Sequence, residues 1–351
     1  MQVQEILQDA LNKKASDIFI IAGFPVAFKI NSQILPQTEE RLMPPSTRDL
    51  ITHIYELAER DPERLLQNGD DDFSFSLQGL GRFRCCTYKQ RNSLACVLRV
   101  VNFHLPDPAE MHIPDNVMGL HRFQKGLVLV TGSAGSGKST TLACLIDKIN
   151  HTRGGHIITL EDPIEFIHAH NQSIVSQREI EHDTESYAQA LRAALRQSPN
   201  VILLGEMRDF ETIQTAVTAA ETGQLVLSTL HTVGAAKTVD RIIDVFPPAQ
   251  QQQIRIQLSM VLQAVVSQQL IPGVDGRLVP AFEVMVVNNA IRNLIKDGKV
   301  YQIDNAILTG ADQGMILMDN SILDLYRKKL ITRENALLYC TTRQALQPKL
   351  V

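Results

Sequence analysis

The sequence predicts an α/β protein in two parts: a mixed α+β N-terminal unit, then a larger parallel-sheet domain whose C-terminal part is helical. Three observations carry this. At 351 residues with 44% hydrophobic content, the chain is long enough for two cores. Between residues 127 and 228, β-branched apolar runs alternate with helical patterns, as in a parallel sheet buried on both faces. Pro106, Pro108 and Pro114 separate that pattern from the one before it, because proline resists both helix and central strand.

The elements follow in order. Val3–Leu11 reads as an amphipathic helix, Asp17–Ile21 as an apolar strand, and Gly23–Pro25 as a turn. A helix over Thr47–Glu59 gives a partly helical stripe of Ile51, Ile54, Tyr55 and Leu57. Phe73, Phe75 and Leu77 alternate with polar residues in a strand, and Arg82–Tyr88 and Ala95–Val100 continue the sheet after a turn at Gly79–Gly81. Asp70–Asp72 is expected to be a solvated loop. These boundaries give domains at 1–100 and 118–351 with a connector at 101–117. In the second domain, strands are expected at Leu127–Thr131, Ile157–Leu160, Val201–Leu204 and Leu225–Ser228, with helices over 138–150, 184–197 and 211–221. From about residue 249 the pattern is mainly helical to the end.

Composition weighs against several classes. The net charge of −4 supplies no global basic field, and the 5% aromatic content without tryptophan gives few stacking platforms. No nucleic-acid partner is expected, though a ring can hide a basic channel and so a nucleic-acid motor is not excluded. Apolar runs reach about five residues, against the roughly 20 that span a bilayer, and the N-terminus has no signal-peptide core. The five cysteines lack C-x-x-C spacing and read as reduced thiols in a cytoplasmic protein.

The chemistry concentrates at strand ends. Gly132-Ser133-Ala134-Gly135-Ser136-Gly137-Lys138-Ser139 matches the phosphate-binding pattern G-x-x-x-x-G-K-[ST], with an apolar strand entering it and a helix leaving it through Thr140. Its glycines let backbone N–H groups turn around phosphate oxygens at a helix N-terminus. Lys138 is assigned to the β- and γ-phosphates and the Ser139 hydroxyl to Mg²⁺, so the expected ligands are ATP and Mg²⁺. Such a loop needs a carboxylate on a neighbouring strand. Glu206 follows Val201–Leu204 and is the candidate general base, while Asp209 is either a second acid or a helix cap. Gly205 stands where many such enzymes place an aspartate; Glu161 or Asp162, closing strand 157–160, is the candidate replacement at the metal through a water. Ser228, Thr229, His231 and Thr232 form a polar strand end suited to sensing a γ-phosphate, with His231 the candidate site residue. Arg82, Arg84, Arg91 and Arg99 are either solvated strand residues or, in a ring, arginines reaching a neighbouring subunit's phosphate.

These residues resemble the PilT-type twitching-motility (type IV pilus retraction) ATPases of the secretion ATPase superfamily. Gly132–Thr140, Thr159–Phe166, Leu204–Asp209 and Ser228–Thr232 are similar to the family's Walker A, Asp box, Walker B and His box. Ala15–Asp17, Gly81–Arg84, Ala190–Gln197 and Ala290–Ile295 extend the likeness over nearly the whole chain, the last being tied in the family to retraction. The resemblance implies a PAS-like N-terminal domain, a RecA-like ATPase domain and a homohexameric ring, with Arg84 and Arg91 the leading candidates to act across subunits. It also implies a cytoplasmic protein, peripheral at the inner face of the membrane beside the platform of a pilus machine. Gln224 departs from the pattern where a first His-box histidine is usual, as do Phe19, Ile21 and Lys296–Asp297. Assembly ATPases carry a four-cysteine module, and no cysteine lies between Cys144 and Cys340, which argues against that class. The remaining alternatives are a weakly hydrolysing accessory paralogue and a nucleic-acid or secretion motor of the superfamily.

Overall fold

The computed structural model describes residues 2–30, 33–101 and 105–350, so part of the expected connector, 102–104, lies outside the described residues. Packing divides the chain into two compact units, Met1–His104 with Glu165–Ile167, and Leu105–Ile164 with His168–Val351.

The first unit contains α1 (Val3–Asn12), β1 (Asp17–Ile20), β2 (Ala27–Ile30), β3 (Gln33–Pro36), α2 (Pro44–Leu57), α3 (Glu63–Asn68), β4 (Asp70–Leu77), β5 (Gly81–Gln90) and β6 (Ser93–Val101). The strands form one antiparallel sheet in the order β3-β2-β1-β6-β5-β4. Alternation puts Phe73, Phe75 and Phe83 on one face, where they pack with Ile51, Ile54 and Tyr55 of α2. Helix α2 begins on Pro44 and Pro45, where the missing N–H costs nothing.

The expectation for Asp70–Asp72 is corrected: these residues open β4 rather than forming a solvated loop. Asp71 is buried at 2% exposure. Its carboxylate accepts Arg60 Nε and Nη2, each at 2.9 Å, and the Tyr55 hydroxyl at 3.1 Å. A buried charge is tolerable only when paired in this way, and the partners come from distant positions that a local reading does not see.

The second unit contains α4 (Asp115–Met118), β7 (Gly126–Thr131), α5 (Lys138–Thr152), β8 (Gly155–Glu161), β9 (Ser173–Glu179), α6 (Tyr187–Ala194), β10 (Val201–Leu204), α7 (Phe210–Glu221), β11 (Leu225–Leu230), α8 (Ala235–Asp244) and α9 (Pro248–Val261). Then come β12 (Leu262–Pro272), β13 (Leu278–Val286), α10 (Asn289–Lys296), α11 (Ile303–Thr309), α12 (Met318–Arg327), α13 (Arg333–Tyr339) and α14 (Arg343–Leu346). The sheet order is β13-β12-β7-β11-β10-β8-β9, parallel except for β13. Its two faces carry separate cores, Leu127 and Leu129 toward one and Val128 and Val130 toward the other.

The helical expectation from residue 249 holds for α9 and α10–α14 but fails for the β12–β13 hairpin. Helix α9 passes into β12 with no turn residue between them, so an apolar run there gives no periodic sign of the change. The register aligns the strands' C-terminal ends: Leu204 lies opposite Leu160 and Ser228, and Leu230 lies opposite Thr131. Gly132, Glu161, Glu206 and His231 therefore all leave the sheet along one edge.

Candidate nucleotide site

The glycine-rich loop leaves β7 and enters α5. Gly132, Gly135 and Gly137 have φ of 146°, 74° and 88°, a region that side-chain-bearing residues avoid. At Gly132 a Cβ would lie 2.3 Å from the carbonyl oxygen of Gln268, and at Gly137 2.8 Å from Gln268 Nε2. Gln268 also accepts the Thr141 hydroxyl at 2.8 Å. The loop is thus backed by a β12 side chain that sequence reasoning missed, since nothing local links residue 268 to residue 132.

Around this backing, Ser133, Ala134 and Gly135 are exposed, while Gly137, Ser139 and Thr140 are half-buried. Lys138 is buried, and its Nζ donates to the carbonyls of Gly132 and Ser133, each at 2.9 Å. The ammonium is therefore held inside the curl of the loop. Ser136 Oγ is buried with no hydrogen-bond partner among the described residues. A buried hydroxyl without a partner costs about 1–3 kcal/mol, and a phosphate oxygen in the loop would remove that cost. These features fit a bound nucleotide. A cavity of about 820 Å³ opens beside the loop, lined by Gly137, Thr140, Thr141, Gln268, Leu270 and Arg277.

Glu206 lies two residues past β10 and its side chain is 15% exposed. Its Oε2 faces Arg208 Nε at 2.7 Å and His231 Nε2 at 3.2 Å. The nearest approach of both groups is thus to Oε2, and no hydrogen bond to Oε1 forms among the described residues. The structure therefore joins Glu206 and His231, two candidates from adjacent strands, and adds Arg208, which the sequence reading passed over although it lies in the same short segment.

The polar strand end is corrected in part. Ser228 and Thr229 donate to the carbonyls of Leu204 and Gly205 at 2.8 and 2.6 Å, and so clamp β11 to β10 rather than facing a phosphate. Thr232 bonds Thr238 at 2.8 Å. Gln224 lies at the N-terminal end of β11, the opposite end from His231, so its departure from the family pattern does not touch the carboxylate edge. Asp209 is the N-cap of α7, accepting Thr212 N at 2.9 Å and the Thr212 hydroxyl at 2.8 Å.

Glu161 closes β8, half-buried, and accepts Gln177 Nε2 at 3.3 Å; Asp162 beside it is exposed. Glu179, buried on β9, accepts Ile164 N at 3.3 Å and so shapes the segment after Asp162. No group of three or more His, Cys, Asp and Glu residues suited to a metal occurs among the described residues.

In the first unit, Arg84 on β5 pairs with Asp72, its Nη2 2.6 Å from the carboxylate, and Arg99 Nε lies 3.1 Å from Asp17. Arg82 lies on β5 as well. Arg91 and Asn92 form the tip of the β5–β6 hairpin with φ of 45° and 60°, both left-handed.

The Type II/IV secretion system protein family model matches residues 1–315. The type IV pilus retractation ATPase PilT of Pseudomonas aeruginosa is 42% identical over 340 residues, 96% of this chain and 97% of that protein. The type IV pilus ATPase PilU of the same organism is 38% identical over 348 residues, 99% of this chain and 91% of that one. The crystal structure of the pilus retraction motor PilT with bound ADP superposes with a TM-score of 0.91 at 44% identity, covering 99% of each chain.

Proposed function

We infer from the Type II/IV secretion system protein family, to which this chain belongs, that it is the ATP-hydrolysing motor that retracts a type IV pilus. The chain is an ATPase of that family with a RecA-like P-loop domain. The observation that carries the finer reading is the likeness to a retraction ATPase over 96% of the chain. The intact Ala290–Ile295 segment on α10 agrees with it.

In this reading, backbone amides of residues 133–140 and the Lys138 ammonium hold the β- and γ-phosphates of ATP. Glu206 Oε1 accepts a proton from the attacking water, while Arg208 and His231 fix the other carboxylate oxygen. Ser139 and Glu161 are the residues that would hold Mg²⁺, Glu161 through a water; bound there, the ion neutralises charge developing on the phosphates. Six copies assemble as a ring, in which Arg84 and Arg91 of one copy serve a neighbour's γ-phosphate. Residues 1–100 form the PAS-like domain, 101–117 the connector and 118–351 the motor domain. The ring works on the cytoplasmic face of the inner membrane against the pilus platform. Among the described residues, no helix is long and apolar enough to cross a membrane.

The test has two parts. Purified protein is assayed for ATP turnover and mass, beside Lys138→Ala, which removes the phosphate countercharge; turnover by a hexamer, lost in the variant, is expected. A Pseudomonas aeruginosa strain lacking its own retraction ATPase is then complemented with this chain. Restored surface motility by the wild type and not by Lys138→Ala supports the retraction reading. Turnover in vitro with no restored motility would point to another motor of the family.

A further inference from the structure

Tyr187, the first residue of α6, has no part in the mechanism above. Its hydroxyl oxygen fills the space that Gly205 leaves open: a Cβ on Gly205 would lie 2.6 Å from it, 3.2 Å from the Leu160 carbonyl and 3.5 Å from Glu161 Cα. The phenol therefore enters between the ends of β8 and β10, where Glu161 and Glu206 emerge. Burial first, and then the negative charges of Asp162, Glu161 and Glu206, push its pKa up, with Arg208 acting the other way. It stays protonated and is a donor. The ring is half-buried, and its hydroxyl makes no hydrogen bond among the described residues.

A ring that only packed on Gly205 would need no hydroxyl. A phenylalanine would fill the same space without bringing a polar group, partly withdrawn from water, to the ends of these two strands. The acceptors at hand are the carboxylates whose charges already act on it. Glu206 offers Oε1, to which no hydrogen bond forms among the described residues, while Arg208 and His231 make their nearest approaches to Oε2.

We propose that Tyr187 is a positioning residue for hydrolysis: its O–H donates to Oε1 of Glu206 in the working site, and so holds that oxygen beside the attacking water. Gly205 is then glycine because a side chain there would exclude the hydroxyl. Three like charges at adjacent strand ends repel one another, and a neutral donor among them keeps Glu206 in one rotamer without cancelling its charge. The inference rests on reading Glu206 as the residue that activates water.

The test is a double-mutant cycle on the full chain, using Y187F, E206Q and the double variant. Steady-state turnover is measured with affinity for a fluorescent ADP analogue and the melting temperature. Y187F is expected to lower kcat about tenfold while leaving KM, ADP affinity and melting temperature unchanged. On the residual rate of E206Q the same change is expected to cost less than about twofold, because the group it acts through is already gone. Wild-type kcat in Y187F overturns the proposal. So does an equal loss in both backgrounds, which is what packing alone would give. If E206Q itself turns over like the wild type, the base assignment fails and the inference falls with it. That result is distinct from an inactive E206Q beside a fully active Y187F, which sinks only the role of Tyr187.

Discussion

In a Glu206→Gln variant the side chain keeps its length and its place between Arg208 and His231 but loses the negative charge. The structure sets the size of the effect. Arg208 Nε at 2.7 Å and His231 Nε2 at 3.2 Å approach one oxygen, which leaves the other as the proton acceptor the residue offers to water. A positioned general base contributes about 10²- to 10⁴-fold, which is about 3–5 kcal/mol of barrier. The phosphates are held elsewhere, by the loop and Lys138, so nucleotide affinity is expected to stay within about twofold. His231→Asn removes one contact on a half-exposed ring; at about 1 kcal/mol, that lowers kcat about fivefold. The assay is steady-state phosphate release beside equilibrium binding of a fluorescent ADP analogue. Two results would refute the reasoning: turnover within tenfold of wild type in Glu206→Gln, or loss of binding in step with turnover. The second would make Glu206 a binding group.

Gly132→Ala places a methyl 2.3 Å from the Gln268 carbonyl at a φ of 146°. It is expected to destabilise the second unit by about 2–5 kcal/mol in urea melts and to weaken nucleotide binding at least tenfold; unchanged binding would mean the loop is not built as described. Asp71→Asn removes the charge that pairs Arg60 and one of the two oxygens it donates to, while Tyr55 keeps its 2.7 Å bond to Thr87. Because the Arg60 side chain is 30% exposed, the cost is about 2–3 kcal/mol rather than that of a fully buried pair, read as faster amide exchange in α2 and β4. Burial raises the Asp71 pKa, but the hydrogen bonds and charge of Arg60 more than offset this, and it lies below its ordinary 3.8. A depressed carboxylate stabilises the fold above the unfolded value, so its contribution is whole above about pH 4 and fades as pH falls below that; Asp71→Asn should lose that part of the acid sensitivity. Arg84→Ala or Arg91→Ala is expected to lower turnover in the assembled ring alone. Equal loss in dilute monomers would show that neither acts across a subunit boundary.

How much of the protein is legible along the chain depends on the range of the force involved. The sequence by itself determined the order of β7, α5, β8, β10, α7 and β11 and the phosphate loop, because alternating apolar runs and glycine torsions are properties of a few neighbouring residues. It also marked Lys138, Glu161, Glu206 and His231 as the residues to watch. The tertiary structure alone decided what these residues touch. Register between parallel strands carries Glu206 to His231, and β12, read as helix, supplies the Gln268 that backs the loop. Asp71 is unremarkable until α2 and its flank bring Tyr55 and Arg60 to it, and Tyr187 has no visible purpose until β8 and β10 bring carboxylates around it. Each of these contacts joins residues far apart in the chain, and their pairing is set by how two hydrophobic faces pack, which no local pattern encodes.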